Sequence, residues 1–267
     1  FCESERFDVR LWLQRMFRDR GDFPTPAQAL FCGVLLLMIR FFAGIAAEMP
    51  TSWDGFARAS FVTQLAFIAT PACLMAIILT RRPWATLSLG RPSFWSTIPA
   101  AAALAVAIHP LMFVLQSLVL MLYPFSERAA ATLQPIQEMM NDMPLGWLLL
   151  SLAVAPAICE ELAFRGFILN GLRRIGHKWY AIAITSILFG VAHFILQQSI
   201  LATMVGFVLG YIAVKTSSLW PAMVFHLVHN GTKLLHSRLS PDVLADYAWL
   251  KVFCSASADG THVEFTW

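Results

Sequence analysis

Two adjacent glutamates, Glu160 and Glu161, stand late in an apolar run, and Arg165 follows four residues after the second. Two later apolar runs are also interrupted by polar side chains: His193 in ILFGVAHFIL, and His226 with Asn230 in FHLVHN. A carboxylate can take a proton from water, and fixed imidazole or amide donors can hold the negative charge that forms when water attacks a carbonyl. These residue types therefore suit hydrolysis by an activated water. The plainer reading is structural. Glu161 and Arg165 share a helix face and can neutralise each other, but that pairing leaves Glu160 with no partner on its own helix. A charge at the centre of a bilayer costs roughly 2.5–3.5 kcal/mol. A polar cluster kept at that cost points to function more strongly than a lone histidine in a soluble core does.

The elements that must carry these residues follow from composition. Of the 267 residues, 58% are hydrophobic and 13% charged, where soluble domains run nearer 45–50% and about 25%. So much apolar surface cannot be hidden inside a soluble domain of this size. The expected fold is all-α: a polytopic transmembrane bundle of about seven or eight helices. The net charge of +3 gives no case for nucleic acid. The five cysteines are scattered and show neither a disulfide framework nor a zinc spacing. The chain begins at Phe1 rather than Met, which leaves flanking segments open, and the apolar character starts only near residue 29, so no cleavable signal peptide is expected.

The chain divides into a polar N-terminal helix over 1–28, a bundle over 29–236 with its chemical core at 144–236, and a short tail over 237–267. Apolar runs are expected as spans over 29–48, 57–80, 94–123, 145–174, 178–197, 199–214 and 219–236, with 124–143 as a polar connection. With the N-terminus cytoplasmic, Arg81, Arg82, Arg91, Arg173, Arg174, Lys178 and Lys215 all fall inside, as the positive-inside rule asks. Arg58 is the weak point, and Arg40 stands alone within the first run. Pro110 is expected to kink the third run, with His109 answering a backbone group freed there. Gly206 and Gly210 form a GxxxG-like pair, read as easing helix packing inside the bundle. A hairpin turning between Arg173 and Lys178 would set Glu160 and His193 at similar depth, each about 20–22 Å from the turn.

Three motifs now stand in order: EExxxR at Glu160, Glu161 and Arg165; FxxxH at Phe189 and His193; HxxxN at His226 and Asn230. In this order they resemble the CPBP group, also called the ABI family, which includes the type II CAAX prenyl endopeptidases. Gly166 and the SLWP stretch at Ser218–Pro221 resemble it too. The likeness covers about 144–236; the earlier spans match only as generic apolar helices. The resemblance implies an intramembrane endopeptidase in which Glu160 activates water that His193 helps to hold. His226 and Asn230 would donate to the oxyanion, with Glu161 and Arg165 as support. It also implies membrane lipids and a membrane-associated protein or peptide as partners, no nucleic acid, and the plasma membrane of a bacterium. No cofactor is expected.

Rival chemistries remain on the sequence alone. Glu and His can ligate zinc, yet HExxH is absent, so a zinc site would rest wholly on tertiary geometry. Cys159 could act as a nucleophile, but it lies about 100° around the helix from Glu160; a small buried thiol is the plainer reading. A non-catalytic scaffold, immunity factor or transporter accessory is the rival of another class.

Overall fold

In the computed structural model, residues 20–239, 241–246, 251, 254–257 and 263–265 are described, together with Asp8, Gln14 and Phe17. Most of the helix expected over 1–28 lies outside the described residues. Helix α1 spans Pro26–Ala46 and starts where it should: Thr25 and Gln28 form a reciprocal cap, with proline at the first helical position. Helix α2 spans Trp53–Leu79 and α3 spans Thr97–Leu122, with a one-turn helix at Pro83–Thr86 between them. Then come α4 (Glu127–Asp142), α5 (Leu145–Ile175), α6 (Lys178–Val191), α7 (Leu196–Thr216) and α8 (Leu219–His236). The tail adds α9 (Pro241–Asp246) and two short strands, β1 (Cys254–Ala256) and β2 (Val263–Phe265), paired antiparallel.

The molecule is an all-α membrane bundle, with this small hairpin as the only sheet among the described residues. Five helices, α1, α2, α3, α5 and α7, are long and apolar enough to cross a bilayer. Phe42, Ile45, Trp84 and Met121 stand exposed on the outer surface, where lipid rather than water suits them. Helix α5 is the central helix: 61% of its apolar window is buried, against 22–39% for the other four. Its side chains Phe164, Phe167, Ile168 and Leu172 fill the core together with Phe225 of α8.

Three expectations need correction. The stretch 124–143 is not a plain connection; it forms α4, capped by Ser126 and burying Met139. The fifth run does not continue to 197. Helix α6 stops at Val191 and the chain turns through 192–195, with Phe194 in the left-handed region at φ 57°. At 14 residues, α6 rises only about 21 Å, short of a bilayer core of about 30 Å. Helix α8 has the length but carries His226, His229, Asn230, Lys233 and His236, and so is not among the five apolar spans. His109 at the Pro110 position faces the rings of His229 and His236, at centroid separations of 6.0 and 6.1 Å.

Two of the long helices widen into π-turns just before a proline. In α2 the π segment Thr63–Ala69 precedes Pro71, and in α5 the segment Leu150–Val154 precedes Pro156. Proline supplies no N–H to the carbonyl four residues back, so the ladder shifts to bonds five residues apart. Thr70 N–H to Leu65 O and Ala155 N–H to Leu150 O are such bonds. A third π segment, Glu161–Ile168, begins at the second glutamate.

The helices meet closely through small residues. A Cβ on Gly206 would stand 3.1 Å from Ser186, which places the GxxxG-like pair of α7 against α6, inside the bundle as expected. At Gly190 of α6 an added Cβ would collide with Thr203 Oγ1 and lie 2.5 Å from Ser199 O, so only glycine allows α6 and α7 this approach.

Candidate active site

Helix α5 carries the two glutamates inward. Both are buried, and they face different partners. Glu161 Oε1 accepts from Arg165 Nη1 at 2.8 Å, the intrahelical pair expected from their spacing. Arg165 is anchored twice more: Nη2 donates to Gly206 O of α7 at 3.3 Å, and the guanidinium lies 4.2 Å from the ring centre of Phe189 of α6. The same Glu161 Oε1 stands 2.9 Å from Nδ1 of His226 on α8. A carboxylate paired with arginine only accepts, so Nδ1 is the donor of this bond, and the ring turns Nε2 towards the first glutamate. Nε2 of His226 lies 3.8 Å from Glu160 Oε2.

Glu160 Oε1 accepts from Nε2 of Gln64, on the π segment of α2, at 2.9 Å. Sequence reasoning passed over Gln64. The signal was there: a carboxamide in the middle of the apolar run 57–80, buried with no surface to reach.

His193 occupies the turn after α6 rather than a helix. Its Nδ1 bonds Phe189 O at 2.9 Å; because a carbonyl only accepts, Nδ1 donates and Nε2 is left available. His193 and Glu160 lie within electrostatic reach of one another, although no direct bond joins them. Arg165 lies over Phe189, so the hairpin register sets the glutamates, one turn earlier on α5, near the level of His193, one turn later in the chain. The ring of Phe189 lies near both imidazoles and nearly perpendicular to each, at 5.1 Å from His193 and 5.9 Å from His226.

Asn230 lies one turn beyond His226 on α8. Its Nδ2 donates to Leu152 O, in the π segment before Pro156, at 3.2 Å. The structure thus brings Glu160, Glu161, Arg165 and His226 into one buried cluster. It places His193 beside that cluster and gives Asn230 a bond to the backbone of α5. Cys159 is buried and free.

Zinc does not fit this arrangement. Among the described residues, no group of three or more His, Cys, Asp or Glu side chains is placed to hold a metal ion. Glu161 Oε1 already carries two donors, and His226 spends Nδ1 on it.

The turn 194–197 also walls an open groove of about 670 Å³, closed on its other side by Pro124, Phe125, Arg128 and Leu133.

Residues 142–232 match the family described as type II CAAX prenyl endopeptidase Rce1-like. The matched stretch runs from the end of α4 to α8 and contains every side chain of the cluster except Gln64. Over this stretch the chain is similar to the CPBP/Rce1-like family. It is also similar to "Putative membrane peptidase YdiL" of Bacillus subtilis (strain 168), 26% identical over 208 residues that cover 75% of this chain and 81% of that protein. No solved structure matches. The family's sequence pattern accordingly falls on the buried cluster, while α2, which supplies Gln64, lies outside the matched stretch.

Proposed function

We propose that this protein is an intramembrane endopeptidase that hydrolyses a peptide bond in a membrane-associated protein or peptide, using water activated by Glu160. The observation that carries the reading is the approach of Glu160 Oε2 to His226 Nε2, 3.8 Å apart, from separate helices in a buried site. That gap is too long for a direct hydrogen bond and suits a shared third atom. A water about 2.8 Å from each would subtend roughly 85°, an acceptable bridge.

In this mechanism Glu160 takes a proton from the water as its oxygen bonds to the scissile carbonyl carbon. The carbonyl π electrons move to oxygen, giving an oxyanion. Glu160 then returns the proton to the amide nitrogen as the C–N bond breaks, leaving a new carboxyl end and a new amine. Gln64 holds the other carboxylate oxygen and so fixes which lone pairs face the water. Glu161 holds the His226 ring by Nδ1, so that Nε2 is the atom that meets the water. His193, with Nδ1 spent on Phe189 O, presents Nε2 as a second group for holding the water. Asn230 has a second amide N–H beyond the one given to Leu152 O, and that N–H is the further donor for the oxyanion. One such donor contributes about 2.7–4 kcal/mol.

The Rce1-like match and the name of the Bacillus subtilis relative support peptidase activity. A CAAX-type preference, with cleavage near the C-terminus of the substrate, belongs to the same proposal. So do a bacterial plasma-membrane location and a cytoplasmic N-terminus, which the arginine-rich loops support. The test compares membrane proteomes from cells carrying the wild-type chain and Glu160→Ala. New C-termini should appear only with the wild type; equal products from both would remove the assignment.

A further inference from the structure

Arg40 is a charged side chain placed where apolar packing does not explain it. It stands 14 residues into the 21-residue helix α1, among Met38, Ile39, Phe41 and Phe42. By length that is about 21 Å along a helix of about 31 Å, well inside the span. Among the described residues no carboxylate pairs with it and no hydrogen bond holds its guanidinium, whereas Arg165 pairs with Glu161, donates to the Gly206 carbonyl and lies over the Phe189 ring. Its one specific contact is the ring of Phe194, 6.0 Å from the guanidinium carbon.

Phe194 links Arg40 to the site. It directly follows His193, holds a positive φ that a bulky side chain rarely adopts, and forms part of the groove wall. Such backbone strain persists where surrounding structure imposes it and collects at functional sites. Phe41 supports the same ring from α1, at 6.2 Å. Glu160 and His193 both lie within electrostatic reach of Arg40. The buried cluster alone holds two carboxylates and one guanidinium; Arg40 supplies the second positive charge.

We propose that Arg40 is the anion-binding residue of this site, its guanidinium receiving an anionic oxygen of the substrate beside Glu160 and His193. The planar guanidinium suits a carboxylate or an oxyanion, and an apolar surrounding strengthens that bond. The oxygen comes either from a carboxylate that the substrate brings or from the oxyanion formed at the scissile carbonyl. This rests on the peptidase reading above.

The experiment uses the full chain as wild type, Glu160→Ala, Arg40→Gln and Arg40→Lys, scored first by new C-termini in membranes. One released substrate then serves for kinetics in proteoliposomes. Arg40→Gln should lower kcat/KM at least tenfold while the melting temperature in detergent holds, and Arg40→Lys, which restores the charge but not the planar fork, should recover part of the loss. A fall in kcat at constant KM identifies the oxyanion as the source. A rise in KM at constant kcat identifies a substrate carboxylate, and a substrate with that carboxylate amidated should then be indifferent to the substitution. Arg40→Gln within twofold of wild type overturns the role of Arg40 and leaves the peptidase reading standing. Loss of activity that tracks loss of folding, with no recovery in Arg40→Lys, also overturns it. Wild type indistinguishable from Glu160→Ala removes both.

Discussion

Glu161 Oε1 accepts from Arg165 at 2.8 Å and from His226 at 2.9 Å, with all three side chains buried. Removing that carboxylate strands a guanidinium and an imidazole away from water, so Glu161→Ala should cost about 3–5 kcal/mol. The measurement is thermal unfolding in detergent, and wild-type stability in this variant would contradict the ion-pair account. Gln64 makes a different prediction. Gln64→Leu removes one donor to Glu160 Oε1 while keeping an apolar side chain of similar volume in the span. An unmade buried hydrogen bond is worth about 1–3 kcal/mol, so kcat should fall roughly tenfold or somewhat more. Unchanged kcat would show that the orientation of Glu160 does not depend on α2. At this scale the sequence was informative where residues were costly. Paired glutamates, an arginine one turn on, and imidazoles in apolar runs announced themselves because charge and imidazole are rare in lipid-facing helices. Which glutamate partnered which group was hidden, because His226 joins Glu161 across 65 residues of chain and only tertiary packing sets that bond. Gln64 was missed because an amide carries no charge and disturbs hydropathy little.

Helices α6 and α7 pack through Gly190, and that contact also fixes the turn carrying His193 three residues later. Gly190→Ala pushes a methyl into Thr203 and the Ser199 carbonyl. It should lower the melting temperature and reduce activity, and Thr203→Ala in the same chain should restore part of both by clearing the hydroxyl. If Gly190→Ala melts and cleaves as wild type does, the helices are not held at this distance. The ends of α6 show why boundaries were harder to read than helices. The run 178–197 is apolar throughout, and hydropathy cannot report that Phe194 takes a left-handed φ and ends the helix near His193. Residues 124–143 were read as a connection because their acidic side chains dominate the average, yet Met139 and a Ser126 cap fit an amphipathic helix. Helices α1, α2, α3 and α5 were legible from length and apolar composition. The π segments before Pro71 and Pro156 were not, because proline alone does not say whether a helix kinks, breaks or widens.

The molecule as a whole is a bundle whose central helix, α5, carries the paired glutamates while flanking helices supply partners: Gln64 from α2, Phe189 from α6, the Gly206 carbonyl from α7 and His226 from α8. Because no His, Cys, Asp or Glu grouping among the described residues is placed for a metal, activity of the purified protein should survive EDTA and 1,10-phenanthroline. Loss on chelation with recovery on adding zinc would contradict that. Cys159 is buried one position before Glu160, and Cys159→Ala should cleave as the wild type does. The most direct test of the account is the single-turnover cleavage rate of Glu160→Gln in proteoliposomes, set against wild type on the same substrate. The substitution keeps shape and removes the proton acceptor, so the rate should fall about 10²–10⁴-fold, the range of a lost general base, with substrate affinity and melting temperature unchanged. A Glu160→Gln protein that cleaves within a few-fold of wild type would contradict the claim that this carboxylate activates the water.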